Sequence, residues 1–135
     1  MIVVDSSAVV AIILREAPAD KLSDRIFVES GCLISVANYV ESGQVLAQRQ
    51  AYDIPRALGE FHALLDKLDI ALAPIDEAQA RVALEARIRH GRGFGHPARL
   101  NYSDSFAYAL AKVRNLPLLF VGDDFTHTDI VSALA

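Results

Sequence analysis

Ile2-Val3-Val4-Asp5-Ser6-Ser7-Ala8-Val9 is the stretch that decides how the chain is read. Three apolar residues end on a carboxylate, and two serines then open an apolar run that continues to Leu14. A strand buried on both faces reads as continuous apolar sequence rather than as an alternation, so Ile2–Val4 predicts a doubly covered strand. Ser6 or Ser7 is the expected N-cap of a helix from Ala8 to about Arg15.

Outward from there, helical and strand-like segments alternate. A helix is expected over Ala17–Val28, with Ala19, Leu22, Ile26 and Val28 facing inward. A short buried strand follows at Cys32–Ser35, and then a helix through Val40, Glu41, Gln44 and Gln48, capped by Ser35 or Asn38. Pro55 suits the first turn of another helix, whose Leu58, Phe61, Leu64, Leu65 and Leu68 keep a 3.6 period. Ile70–Ile75 reads as a strand, Asp76 as the cap of a helix carrying Val82, Ala83 and Ala86. His90–Pro97, with three glycines and a proline, is a loop. Asn101 should cap a helix from Ser103 to about Val113. Leu116–Val121 is a further strand, and Ile130–Ala135 a short edge strand. Strands alternating with helices imply a mainly parallel sheet covered on both faces, a three-layer α/β/α arrangement.

The 135 residues, 53% hydrophobic and 22% charged, fit one globular domain spanning 1–135. No apolar run reaches the ~18–20 residues of a membrane span. The start lacks the basic residues and small-residue cleavage site of a signal peptide, so a cytoplasmic protein is expected. Cys32, the one cysteine, sits among apolar neighbours and reads as a core residue. The net charge of −4 argues against nucleic acid at first sight, but a cluster of metal-binding carboxylates makes any bare chain look acidic.

In parallel sheets the binding site lies beyond the carboxyl ends of the strands. Asp5 ends the first strand there, and Asp123 and Asp124 follow the last long one. Glu41 lies on the helix after the second strand, and Asp104 in the first turn of the helix after the glycine loop. Carboxylates gathered in low dielectric repel one another, and a hard divalent cation removes that problem. Mg²⁺ fits, keeping several waters beside one or two carboxylates, and Mn²⁺ accepts the same oxygen ligands. Such an ion activates a water and neutralises charge on a phosphodiester, so phosphodiester hydrolysis is the expected reaction. Each acid also has a purely structural reading. Asp104, three residues after Asn101, has the spacing of a capping-box acid, and Asp5 that of a turn or cap residue. The functional case rests on the acids together.

With those residues in hand, the sequence resembles the VapC family of PIN-domain toxins of type II toxin–antitoxin systems. The resemblance is carried by Ile2–Val9, Ile34–Glu41, Gly95–Ala111 and Pro117–Phe125, in this order, and covers nearly the whole chain. It implies a three-layer PIN fold, Mg²⁺- or Mn²⁺-dependent endoribonuclease activity, neutralisation by a cognate VapB-type antitoxin, and a toxin homodimer. Asp5, Glu41 and Asp104 carry over as catalytic and metal-site acids, with Ser7 as the hydroxyl residue beside them. Asp123 is the preferred fourth acid, and Asp124 stays open. Ser103 stands where close relatives usually have Gly, and Ser105 where Cys is common. Both are small.

RNA requires cations nearby, and Arg15, Arg92 and Arg99 are the candidates. Phe94 and Tyr102 are candidates for base stacking, with core packing favoured for Tyr102. His96 is assigned a structural role. The apolar helices Ala8–Leu14 and Leu58–Leu68 are expected to offer surface for a dimer and an antitoxin. A receiver-type phospho-acceptor domain would want adjacent acids after the first strand and a late strand-end Lys, but Lys112 falls inside a helix. An aspartyl-nucleophile phosphatase would need an Asp where Ser7 stands. A catalytically inactive PIN-like module that only binds a partner is disfavoured by the full set of acids.

Overall fold

The computed structural model describes residues 1–91, 93–95, 97 and 99–134. Its elements run β1 (Ile2–Val4), α1 (Ser6–Ile13), α2 (Ala19–Phe27), β2 (Cys32–Ser35), α3 (Val36–Arg49), a single 3₁₀ turn (Ala51–Asp53), α4 (Ile54–Lys67), β3 (Ile70–Ala73), α5 (Glu77–His90), α6 (Tyr102–Arg114) and β4 (Leu118–Leu119). The strands form one sheet in the order β3-β2-β1-β4, and every pairing is parallel.

The pleat sorts the apolar strand residues into two cores. Ile2, Val4, Ile34 and Leu119 face one side, where they pack with Ala8, Leu22, Leu46 and Phe61 from α1 to α4. Val3 and Leu118 face the other, against Ala86 of α5 and Ala107, Leu110 and Ala111 of α6. In β1 and β4 this is why the strands read as unbroken apolar runs: successive side chains are buried in opposite layers, whereas β3 at the sheet edge leaves Ala71 and Leu72 exposed. Each fully buried Val, Leu or Ile contributes on the order of 1.5–3 kcal/mol, so burial on both faces holds strands as short as these in place. The three-layer expectation is met.

Local boundaries differ for identifiable reasons. Asp5, not Ser6 or Ser7, caps α1, accepting the Ser7 N–H. Ser35, not Asn38, caps α3. β4 is only two residues long. Pro117 before it has no N–H to give, and the Val121 N–H after it donates to the Ser7 hydroxyl. The expected edge strand at the tail reduces to one parallel bridge between Leu118 and Ser132, because the Leu134 N–H turns back to the Ser132 hydroxyl. The apolar faces of α1 and α4 are largely hidden inside the fold. Exposed apolar residues include Ile54 at the start of α4 and, on other elements, Phe27, Val28, Leu84 and Ile88.

Parallel pairing brings the carboxyl ends of all four strands to one edge. The strand order reverses between β1 and β4, which opens a crevice at that edge. Asp5 stands there.

Candidate active site

Asp5 serves two local purposes that fix its carboxylate. It follows the last residue of β1, and its backbone N–H donates to the Leu119 carbonyl at 2.9 Å, holding it against β4. Its side chain caps α1: Oδ2 accepts from the Ser7 N–H at 3.0 Å and from the Ser7 hydroxyl at 2.6 Å. The Ser7 hydroxyl in turn accepts the Val121 N–H at 3.0 Å, so one serine ties Asp5 to the segment after β4. The other oxygen, Oδ1, is buried and has no hydrogen-bond partner among the described residues. A buried carboxylate oxygen left unpaired is costly, and such an atom calls for an occupant.

Glu41 reaches the same edge from α3. The Ser6 hydroxyl donates to one of its oxygens, and the Ser103 hydroxyl lies against the other. Ser103 has a single proton and also lies 3.1 Å from Asn101 Oδ1, so it serves one acceptor at a time. Behind them sits Asn38, fully buried, whose amide donates to the Ser6 hydroxyl at 3.3 Å and to the Ser103 carbonyl at 3.0 Å. Asn38 thereby joins α1, α3 and α6 around Glu41. The sequence reading missed this part of the site. Its signal was there: Asn38 lies three positions before Glu41, on the same face of one helix, and is a polar residue in an otherwise buried row.

Asp104 comes from the first turn of α6. Asn101 caps that helix by accepting the Asp104 N–H at 2.8 Å, and Asp104 Oδ2 accepts the Asn101 N–H at 3.0 Å, a complete capping box. The structural and functional readings of Asp104 are therefore compatible. Only one oxygen is engaged by the cap.

The electrostatics follow from burial. Asp5 is pushed up from its ordinary 3.8 to about 6, chiefly by loss of solvent, against the Ser7 hydrogen bonds and with a further push from Glu41. Asp104 rises to about 7, again chiefly by burial, opposed by the Asn101 N–H and raised further by Asp5, Asp124 and Glu41. Of the two aspartates after Gly122, it is Asp124 whose charge acts on Asp104. Both Asp123 and Asp124 are exposed.

Among the described residues, no three His, Cys, Asp or Glu side chains form a group that could hold a metal ion as they stand. Glu41 is engaged by two hydroxyls, and Asp104 by the cap of its own helix. An ion that keeps several waters needs no such cage, only one or two direct carboxylates. The unpaired Asp5 Oδ1, the elevated pKa values and an all-oxygen donor set suit Mg²⁺ or Mn²⁺ on those terms.

The expected cations fall in different places. Arg15 is exposed beyond the end of α1, about 12 Å of helix away from Asp5. Arg99 is exposed just before Leu100, whose N–H donates to the His90 carbonyl at 2.7 Å, and two residues before Asn101. Arg92 and His96 lie outside the described residues. Tyr102, favoured as a core residue, is instead 72% exposed. Asp53 caps α4, and Lys112 pairs with Asp129 at 2.9 Å, so the described residues offer no receiver-type constellation of Asp and Lys at the acid edge.

Comparison with known proteins agrees with this geometry. Residues 2–131 match the PIN domain family. Ribonuclease VapC42 of Mycobacterium tuberculosis is 45% identical over 128 residues, 95% of this chain and 95% of that one. Ribonuclease VapC28 of the same species is 41% identical over 132 residues, covering 98% and 97%. Among solved structures, VapC20 of Mycobacterium tuberculosis, a Sarcin-Ricin loop cleaving toxin, shares the fold at a TM-score of 0.75 over 97% of each chain, with 16% identity. A parallel sheet with acids gathered where its strand order reverses, matched to one family over almost its full length, leads to one assignment: the chain belongs to the PIN-domain family.

Proposed function

We propose that this chain is a metal-dependent endoribonuclease toxin of a VapBC-type toxin–antitoxin module, hydrolysing RNA phosphodiester bonds with water. One observation carries the reading: two buried carboxylates, Asp5 and Asp104, share one edge with Glu41, and Asp5 Oδ1 has no hydrogen-bond partner among the described residues. The names of the relatives, VapC ribonucleases, point the same way.

In this reading Asp5 and Asp104 hold the ion and Glu41 stands beside them. Asp124 takes the fourth place ahead of Asp123, supported by its action on Asp104. When bound, Mg²⁺ or Mn²⁺ supplies an activated water and offsets charge on the phosphodiester. The protein's own residues set the geometry. Ser7 holds Asp5 Oδ2, so that Oδ1 is the oxygen left to bind. The Asn101 N–H fixes Asp104 at the start of α6. Ser6 and Ser103 aim Glu41, with Asn38 behind them. Arg99 is the cation assigned to a substrate phosphate, and Arg15 and Arg92 remain as further candidates for RNA contact. A cognate VapB-type antitoxin and a second copy of the chain are the proposed partners, in the cytoplasm where cellular RNA lies. No helix of the described residues is long and apolar enough to cross a membrane.

The test is cleavage of total cellular RNA by the purified protein. Activity should vanish in EDTA and return with Mg²⁺ or Mn²⁺. Asp104→Asn should lower the rate by more than about 100-fold, the upper range seen for groups that only support a metal ligand. Cleavage that persists in EDTA, or at the wild-type rate in the variant, would refute the reading.

A further inference from the structure

An open groove runs from the acid edge between α3 and the start of α6. Ala37, Val40 and Gln44 form one wall, Tyr102 the other, and Glu41 and Ser103 belong to both the groove and the acid site. The geometry points to a nucleobase subsite: Tyr102 is the platform on which a base of single-stranded RNA stacks beside the bond to be cut. This rests on the ribonuclease reading above and names a part of its substrate site.

The chemistry of the lining selects a base over a phosphate. Among the described residues no Lys or Arg lines the groove, and the carboxylate of Glu41 repels an anion at its inner end. What the groove offers is an apolar wall, a phenol ring and the Gln44 amide, which both donates and accepts. A base has the matching parts, a π face for the ring and polar edges for the amide.

Position and rigidity agree. Tyr102 lies two residues before Asp104, within the turn that the capping box closes, so its backbone is fixed relative to that acid. Its ring meets Phe106 edge to face, with centroids 5.0 Å apart and planes at 83°, which limits its swing while the side chain stays 72% exposed. Val40 across the groove is 61% exposed. A phosphodiester chain continues past the bond being cut, so the next nucleotide must lie near the acids. This groove is continuous with them.

The chain contains no tryptophan, so Tyr102→Trp makes a single-tryptophan reporter at the proposed platform. In EDTA and low salt, a short single-stranded oligoribonucleotide should quench its fluorescence saturably. An abasic ribose-phosphate oligomer of the same length should leave it nearly unchanged. With metal restored, Tyr102→Ala should raise KM for RNA about tenfold, within the range for losing one stacked base, while kcat changes little. Tyr102→Phe should behave as wild type. The ring is exposed and alanine suits a first helical position, so folding is not at stake. Equal quenching by the abasic oligomer, or an unchanged KM in Tyr102→Ala, overturns the base site and leaves the nuclease standing. So does an unchanged KM coupled with lost antitoxin binding, which would make the groove a protein-docking surface. A wild-type protein that cuts no RNA in Mg²⁺ or Mn²⁺ would instead sink the nuclease reading itself.

Discussion

A carboxyl whose pKa is higher in the folded than in the unfolded chain holds its proton more tightly when folded. Its favourable contribution is then complete below the unfolded value and is lost as pH rises through the folded one. For Asp5 that window runs from 3.8 to about 6, and for Asp104 from 3.8 to about 7. The ion-free protein should therefore melt several degrees lower at pH 8 than at pH 5, since one pKa unit is worth about 1.4 kcal/mol. Mn²⁺ should raise the midpoint at pH 8 more than at pH 5. Asp5→Asn should remove Asp5's share of the dependence and leave that of Asp104, because a neutral amide has no charge to bury. Calorimetry across that range decides the matter. A midpoint climbing steadily from pH 5 to pH 8 without metal would contradict the burial argument. The places of Asp5 and Asp104 at the strand-end edge were both legible because each stands at a boundary that sequence marks well, the end of an apolar strand and the third position after an Asn cap. Which of Asp123 and Asp124 belongs with them was not legible. Neighbours in an irregular turn differ only in orientation, which the strand before them does not set.

At the level of elements, the acids are also the caps, so stability and chemistry separate only with well-chosen substitutions. Asp5→Asn keeps an oxygen to accept the Ser7 N–H, and Asn is as good an N-cap as Asp. Asp5→Ala removes it. The alanine variant should be about 1 kcal/mol less stable than the asparagine variant, although both lose RNA cleavage. Asn101→Ala should cost a similar amount by breaking one arm of the α6 capping box, which urea unfolding would measure. Equal stability of Asp5→Ala and Asp5→Asn would mean that the α1 cap contributes nothing. The helices and their order could be read from the chain because apolar periodicity and caps are local signals. β4 and the tail could not. Their extent depends on where the N–H groups of Val121 and Leu134 are spent, and a side chain distant in sequence takes the first of these.

On the scale of the whole molecule, the convergence of the acids was inferable from one rule, that parallel strands present their carboxyl ends together. The polar framework around Glu41 was not, since Ser6, Asn38 and Ser103 are brought together by tertiary packing alone. The apolar surplus expected on α1 and α4 is divided: Val9 and Phe61 are buried in the first core, while Val10, Ile12, Ile13, Leu14 and Leu64 are only partly covered.

The sheet separates two apolar layers, yet the two acids assigned to the ion belong to different ones: Asp5 caps α1 on one face, and Asp104 lies in the first turn of α6 on the other. An ion gripped there acts as a clasp across both layers, and its influence should be visible far from the chemistry. Deuterium uptake at amides of α4 and α5, on opposite faces, should slow in concert once Mn²⁺ is added. Slowing confined to residues beside the carboxylates would mean that the clasp closes on one layer alone.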